Sequence, residues 1–147
     1  YITYSKHLHI FLAFPNIYHS KDSELSKIEN MPSITNEIKT MMGERRISND
    51  PSPTRFGEKD VTDLSWKNIL DAYSCSECGR CTSECPPNIT GKKLSPRKIM
   101  MDVRDRADEI GESLDSGKSF DDKNLLGDYI SKEELFACTT CNACVEA

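Results

Sequence analysis

The chain has 147 residues, which is enough for one small domain with flanking segments. A formal net charge of −5, together with the lack of a dense basic run, excludes a general surface for tracking nucleic-acid phosphates. Only 37% of the residues are hydrophobic and the mean hydropathy is −0.57, so a large apolar core is not expected. A second source of stability is therefore expected.

The most apolar part of the chain is residues 1–19, where five apolar residues are consecutive from Ile10 to Phe14. This stretch is shorter than the about 20 residues that a membrane-spanning helix needs, and Pro15 is expected to end or kink it. Three tyrosines suit the aromatic belt of a membrane interface: Tyr1, Tyr4 and Tyr18. We interpret residues 1–19 as the end of a membrane-embedded or interfacial helix; the alternative is a surface amphipathic segment or a packed helix.

Residues 20–60 are polar and interrupted by proline and glycine, as in the run Ser-Asn-Asp-Pro-Ser-Pro at 48–53. This composition is typical of a tether, and one weak helix is expected within it, near Ile34 to Met42. The domain boundary is placed in this segment, so that residues 61–147 form the folded domain.

From residue 60 onward, apolar residues recur at helical spacing. One helix is predicted after a cap at Thr62 or Asp63, with these apolar positions: Leu64, Trp66, Ile69, Leu70 and Tyr73. A second helix is predicted from the cap Ser95 and the first-turn Pro96 to a stop at Gly111. Its apolar face comprises Ile99, Met100, Val103, Ala107 and Ile110.

The charged side chains of this second helix are interpreted as a solvated face. They are Arg97, Lys98, Asp102, Arg104, Asp105, Arg106 and Asp108. Residues 112–124 are charged and contain glycine, which predicts a loop, and Leu125 to Ile130 are expected to form a turn or short helix. Ser131 and Glu134 make a capping box that opens a short helix into Cys138. Because no run alternates with period two, the predicted fold class is all-α.

Seven cysteines are present, and an odd number does not close into a disulfide framework. No secretory signal peptide precedes them. Clustered thiols without an oxidising compartment favour metal ligation over disulfide bridges.

The cysteines form two runs with two-residue gaps. The first, C-x2-C-x2-C-x3-C-P, comprises Cys75, Cys78, Cys81 and Cys85 followed by Pro86, and the second comprises Cys138, Cys141 and Cys144. In iron–sulfur proteins with such a run, three closely spaced thiolates bind one 4Fe–4S cluster and the fourth binds the other cluster. The spacing therefore predicts a first cluster on Cys75, Cys78 and Cys81, and a second on Cys85 with the second run.

The first cluster then lacks a fourth thiolate, which is expected just beyond Ala147, in a cysteine–proline pair. Because the chain also opens within an apolar pattern, we expect it to be a piece of a larger protein. The alternative metal is zinc, since C-x2-C pairs also build zinc ribbons, which would make the domain a zinc-stabilised interaction module. Two triplets with a cysteine–proline pair favour the 4Fe–4S interpretation.

The stretch CSECGRCTSECPPNITGKKLSPRKIMMDVRDRA, followed by LFACTTCNACVEA, resembles the iron–sulfur domain of heterodisulfide reductase-like Fe–S oxidoreductases. Relatives of that group include the glycolate oxidase iron–sulfur subunit and the small helical ferredoxin domain of succinate dehydrogenase. The resemblance covers about residues 60–147. It implies an α-helical ferredoxin-like dicluster domain that transfers electrons.

The opening YSKHLHIFLAFPNIY resembles the last membrane helix of nitrate reductase gamma-type cytochrome b subunits. That resemblance implies His9 as an axial ligand of haem b in the intact parent. His7 lies two residues away and would face another side of the helix, and His19 follows Pro15 and is expected to be exposed.

These features predict an electron relay between a haem or quinone site in the membrane and a soluble redox partner or an appended catalytic domain. The expected location is the cytoplasmic face of a prokaryotic inner membrane. The chain has no phosphate-binding glycine loop and no evident nucleophile–base pair, so no substrate site is predicted within it.

Overall fold

The computed structural model describes residues 7–20, 31–43, 57–117, 119 and 122–147. Over these ranges the only β-type pairing is an isolated bridge between Leu126 and Ile130, and all regular elements are helical. The predicted helical class is therefore confirmed. Eight α-helices occur there: α1 (Leu8–Tyr18), α2 (Pro32–Met41), α3 (Trp66–Ser74), α4 (Arg80–Ser83), α5 (Pro86–Ile89), α6 (Pro96–Asp115), α7 (Lys132–Phe136) and α8 (Ala143–Glu146).

The chain divides into two compact units, one of residues 23–57 and one that joins residues 1–22 to residues 58–147. In the smaller unit, α2 begins with Pro32 in its first turn, where a missing backbone N–H costs nothing. This helix confirms the one expected near Ile34 to Met42.

Helix α1 continues past Pro15 to Tyr18, so Pro15 does not end the helix; the alternative expectation, a kink at this residue, stays a prediction. Pro15 lacks the N–H that would bond to the carbonyl of Phe11, but later bonds continue the helix, such as that from the N–H of His19 to the carbonyl of Pro15 at 3.0 Å. Among the described helices, none combines the length and apolar character needed to cross a membrane. Tyr1 and Tyr4 lie outside the described residues.

One side of α1 packs along α3. Lys67 Nζ donates to Asn16 Oδ1 at 2.5 Å, and Ser74 Oγ donates to the carbonyl of Leu12 at 3.4 Å. The other side of α1 remains exposed, with Phe14 at 76% of its full exposure. The helix is thus attached to the larger unit through its more polar side.

The core of the larger unit lies between α3, α6 and the segments that flank them. Its buried side chains are Val61, Ala72, Val103, Ile110, Leu125 and Ile130. Packed against these are Leu64, Ile69, Ile99, Met100, Ala107 and Tyr129. The apolar face predicted for the second helix therefore forms the centre of the core.

The start of α3 differs from the prediction. Its N-cap is Ser65, which accepts the N–H of Asn68 at 3.3 Å, and a separate 3-10 turn occupies Val61–Asp63 under a capping box from Asp60. Trp66 is 61% exposed and meets the ring of His19 edge-on, with centroids 5.0 Å apart. Trp66 is therefore a surface residue beside α1 and not a core residue.

Helix α6 begins as predicted, because Ser95 accepts the N–H of Lys98 at 3.4 Å and Pro96 occupies the first turn. It does not stop at Gly111 but continues to Asp115. A glycine inside a helix costs only about 1 kcal/mol, and the following Glu and Leu are strong helix formers. The break comes at Gly117, whose φ of +63° leaves the helical region.

The last part of the larger unit agrees with the sequence. Leu125–Tyr129 form an irregular turn, in which Leu126 and Gly127 have non-helical backbone angles. Ser131 then accepts the N–H of Glu134 at 3.2 Å, and Glu134 accepts the N–H of Ser131 at 2.9 Å. The predicted capping box is confirmed, and α7 leads directly to Cys138.

Candidate iron–sulfur centre

The first cysteine loop connects α3 to α4. Its backbone changes direction sharply at two residues, which have left-handed φ values: 58° at Glu77 and 83° at Gly79. The N–H of Glu77 donates to Cys75 Sγ at 3.4 Å, and Gly79 is the N-cap of α4. Such a turn directs consecutive N–H groups and thiols toward the same side of the loop.

The second cysteine loop, between α7 and α8, repeats this geometry position by position. Thr140 has φ 52° where the first loop has Glu77, and Asn142 has φ 62° where the first loop has Gly79. The N–H of Thr140 donates to Cys138 Sγ at 3.4 Å, and Asn142 is the N-cap of α8. The two runs are therefore two copies of one backbone structure.

The middle cysteines of the two loops also have matching surroundings. The Arg80 side chain, which donates through Nε at 3.5 Å, is the largest influence that lowers the pKa of Cys78, to about 7. The Arg80 backbone N–H and the Ser76 hydroxyl add to this effect. At Cys141 the backbone N–H of Ala143 lowers the pKa most.

The hydroxyl of Thr139 contributes to the lowered pKa of Cys141 in the same way that Ser76 contributes at Cys78. Hydrogen bonds that favour a thiolate over a thiol are the kind that a metal-binding sulfur requires. The pattern at both loops is thus a hydroxyl two residues before the middle cysteine and an N–H two residues after it.

Cys85 is the fourth cysteine of the first run, and it lies close enough to Cys144 of the second run to influence its thiol. It is 5% exposed at the N-terminus of α5, with Pro86 in the first turn behind it. Burial raises the pKa of Cys144, and the neighbouring thiols of Cys138, Cys85 and Cys81 add to that effect. Packing of α4 against α8 brings the two runs together, and the assignment of Cys85 to the second cluster stays a prediction.

All seven thiols are free. Within the part of the chain that the structure describes, no three His, Cys, Asp or Glu side chains are close enough together to hold one metal ion. The thiolates around a cubane bind to separate iron atoms and so stay farther apart than the four ligands of one zinc ion. Cysteine thiolates are the ligands that iron–sulfur clusters require, so this set of donors fits cluster binding.

Several residues that shape the site were missed at the sequence level. The hydroxyl of Thr82 accepts the N–H of Arg97 at 3.1 Å and lies 3.2 Å from Ser95 Oγ, so it connects α4 to the start of α6. Glu77 forms an ion pair with Arg104 at 2.6 Å. The position of Glu77, two residues after a cysteine, was the only available signal.

The histidines lie apart from the cysteine runs in sequence. His9 is half-buried on α1, His7 is exposed at its N-cap, and His19 is exposed beside Trp66. The expected exposure of His19 is confirmed. Haem ligation by His9 stays a prediction.

A helical domain with two matched C-x2-C-x2-C loops, facing each other across short helices, defines a dicluster iron–sulfur module of ferredoxin type. Residues 74–147 match the model of the 4Fe–4S dicluster domain. The chain belongs to this family.

Three curated relatives extend the comparison. The chain is 29% identical to the probable iron-sulfur-binding oxidoreductase FadF of Bacillus subtilis, over 98% of this chain and 23% of that protein. It is 28% identical to the EtfAB:quinone oxidoreductase of Syntrophomonas wolfei, over 69% of this chain and 17% of that protein. It is 27% identical to the probable membrane-anchored ferredoxin of Chromohalobacter salexigens, over 71% and 18% of the two chains.

The chain spans about a quarter or less of the length of these relatives. A fourth relative, an iron–sulfur subunit of the CoB–CoM heterodisulfide reductase of Methanopyrus kandleri, is 30% identical over 54% of this chain and 32% of that protein. No solved structure matches the chain.

Proposed function

We propose that this chain carries electrons one at a time through two 4Fe–4S clusters. The observation that supports this most directly is the repeated loop geometry. Glu77 and Thr140 both have a left-handed backbone, and each donates its backbone N–H to the Sγ of the first cysteine in its run. When bound, each cluster supplies the electron-accepting chemistry. The residues of the chain supply ligation, hydrogen bonds to sulfur and a fixed separation between the clusters.

The proposed first cluster is held by Cys75, Cys78 and Cys81, with a fourth cysteine to the C-terminal side of residue 147. The proposed second cluster is held by Cys85 and by the thiols of the second run, Cys138, Cys141 and Cys144. The position of buried Cys85 among the thiols near Cys144 supports this crossed assignment. Each cluster would then connect two segments that are far apart in sequence, which supplies the stability that a small core lacks.

We further propose that the parent protein is associated with a membrane. In this proposal residues 1–19 are the end of a membrane or interfacial helix, residues 20–60 a tether and residues 61–147 the electron-transfer domain. The exposed apolar side of α1 and the relative named as a membrane-anchored ferredoxin support this proposal. Its finer part is a cytochrome b-like segment in which His9 ligates haem b, on the cytoplasmic side of a prokaryotic inner membrane.

The proposed partners are redox proteins or domains at either end of the relay. One relative is named as a quinone oxidoreductase and another as a subunit of a reductase, which supports a role inside a larger oxidoreductase. A quinone or haem in the membrane and a soluble redox partner would be the two ends.

The test is anaerobic reconstitution followed by iron and sulfide quantification and EPR, on this chain and on a chain extended past residue 147. Cys85→Ser is expected to remove the signal of the second cluster and to spare the first, whereas Cys78→Ser is the matched variant for the first cluster. A colourless protein that contains zinc would contradict the proposed function. Damage by Cys85→Ser to the first cluster alone would contradict the crossed ligation.

Haem binding is tested separately in the parent protein. His9→Ala is expected to remove the haem b absorption bands, and His19→Ala, on the same segment, is expected to leave them unchanged. Haem b absorption bands of equal intensity in His9→Ala and His19→Ala would contradict the assignment of His9 as a haem ligand. The cluster assignment would not be affected.

A further inference from the structure

The two cysteine loops share a backbone but not a charge environment. At the second loop, the positions that match Glu77 and Arg80 are occupied by Thr140 and Ala143, which carry no charge. Arg80 donates through Nε to Cys78 Sγ at 3.5 Å. At the matched positions of the second loop, no charged side chain is therefore available to make the contact that Arg80 makes with Cys78.

Two more guanidinium groups approach the first loop from α6. Arg97 Nη1 lies 3.7 Å from the position that a Cβ on Gly79 would occupy, so it lies against the backbone of the loop. Arg104 Nη2 contacts Glu77 Oε1 at 2.6 Å, and the Arg104 side chain is only 25% exposed. Three cations and one carboxylate therefore surround the first loop.

Acidic residues adjoin two of the thiols proposed for the second cluster. Glu84 lies between Cys81 and Cys85, directly before Cys85, and Glu146 follows Cys144 by two residues. Nearby positive charge stabilises a cluster that has gained an electron, and nearby negative charge destabilises it, so charge is one of the factors that set reduction potentials. Solvent exposure is another, and it differs between the loops, because all three thiols of the second run are exposed whereas only Cys78 is exposed among the first three. We base the order of potentials on the charge difference.

We propose that the first loop holds the cluster of higher reduction potential, so that electrons pass from the second cluster to the first. This inference rests on the proposed function. In the step, the reduced second cluster loses one electron and the oxidised first cluster gains it; no bond forms or breaks and no proton moves. The donor to the chain would then meet the Cys138–Cys144 loop, and the acceptor would meet the arginine-lined loop.

The test is an EPR-monitored redox titration of an anaerobically reconstituted polypeptide extended past residue 147, for which the proposed function predicts complete ligand sets at both clusters. Cys141→Ser identifies the signal of the second cluster. Arg80→Gln is expected to shift the electron equilibrium between the clusters about fivefold toward the second, which is roughly 40 mV at 59 mV per tenfold for one electron. The shift should shrink as the salt concentration rises, because Arg80 is exposed.

Two variants separate charge from structure. Arg80→Lys keeps the charge and is expected to keep the first potential close to that of the wild type. Ala143→Arg places a cation at the matched position of the second loop and is expected to raise the second potential. The inference would be overturned if the second cluster had the higher reduction potential. It would also be overturned if Arg80→Gln left the reduction potential of the first cluster unchanged while both cluster signals were still present. Absence of both cluster signals would overturn the proposed function together with it.

Discussion

Arg106 and Asp60 form a two-point ion pair inside the domain, with Nε 3.2 Å from Oδ1 and Nη2 3.0 Å from Oδ2. The Arg106 side chain is 2% exposed, although it lies on a helix rich in charge. Its guanidinium also donates to the carbonyl of Lys123 at 2.5 Å and to Glu109 at 3.3 Å. This arginine thus connects α6 to the segments before α3 and before the turn at Leu125.

Replacing Arg106 by leucine is therefore expected to destabilise the folded domain strongly. The substitution leaves the Asp60 carboxylate and the carbonyl of Lys123 without this partner, and breaking a buried ion pair from one side costs about 3–5 kcal/mol. Lys92→Leu, at an exposed position before the same helix, is the control and should change stability by about 0.5 kcal/mol or less. Anaerobic denaturant unfolding followed by circular dichroism measures both. Equal midpoints for the two variants would refute the structural role of Arg106.

Asp60 gives this ion pair a defined pH dependence. Burial alone would raise the pKa of Asp60, but the hydrogen bond from Arg106 and those from the N–H groups of Val61 and Leu125 outweigh it, and the pKa is lowered. A carboxyl group whose folded pKa is lowered contributes stability above its unfolded pKa of about 3.9 and loses it as the pH falls through the folded value.

The stability difference between the wild type and Asp60→Asn should therefore be constant from about pH 5 to pH 8, since both pKa values of Asp60 lie below that range. Thermal unfolding of the cluster-loaded protein at several pH values measures this difference. A difference that already narrows between about pH 7 and pH 6 would show that the pKa of the folded Asp60 carboxyl group is raised well above its usual value, which contradicts the lowered pKa.

The sequence predicted the features of this domain that depend on neighbouring residues. The caps at Ser95 and Ser131 are local, because each serine bonds to an N–H three residues away, and both predictions are confirmed. Arg106 was assigned to the surface because its partner Asp60 lies 46 residues away. Its position between Val103 and Ile110, on the apolar side of α6, was the available signal.

The candidate site divides in the same way. The spacing of the cysteines predicted two ligand runs and identified the family, because a cluster loop is a short local structure. The left-handed backbone at Glu77 and Thr140 could not be predicted, since neither residue type favours positive φ. The charge difference between the loops depends on Arg104, which reaches Glu77 across 27 positions of sequence.

The thiols of the cluster-free chain should differ in their reactivity with pH. Hydrogen bonds from Arg80, first from its side chain, lower the pKa of Cys78 to about 7, whereas burial raises the pKa of Cys144. Alkylation by iodoacetamide, quantified for each cysteine by mass spectrometry, should reach half its maximal rate near pH 7 at Cys78 and well above that pH at Cys144. Arg80→Ala should move the midpoint of Cys78 upward. Identical midpoints at the two cysteines would mean that the folded loops do not persist without clusters.

Because both loops have a left-handed backbone, introducing a glycine in one loop and removing a glycine from the other should have opposite effects on backbone strain. Thr140 has a β-branched side chain at φ 52°, a conformation that costs an L-residue about 1–2 kcal/mol, so Thr140→Gly should relieve much of that cost and slow cluster loss. Gly79 has φ 83° at the equivalent turn, and an added Cβ would lie at an ordinary 3.7 Å from Arg97. Gly79→Ala should therefore destabilise by about 1 kcal/mol through backbone strain alone.

Gly91→Ala separates cluster effects from general strain. Gly91 also has φ 83°, and a Cβ there would meet open space, but it lies outside both cysteine runs. Gly91→Ala should lower the melting temperature about as much as Gly79→Ala does. It should leave unchanged the rate of cluster loss, which is measured by the decay of cluster absorbance in the presence of a chelator. Because the strain at Gly79 falls on the loop that carries three ligands, only Gly79→Ala should also speed that decay. If Gly91→Ala speeds it equally, the loop backbone has no special part in holding the cluster.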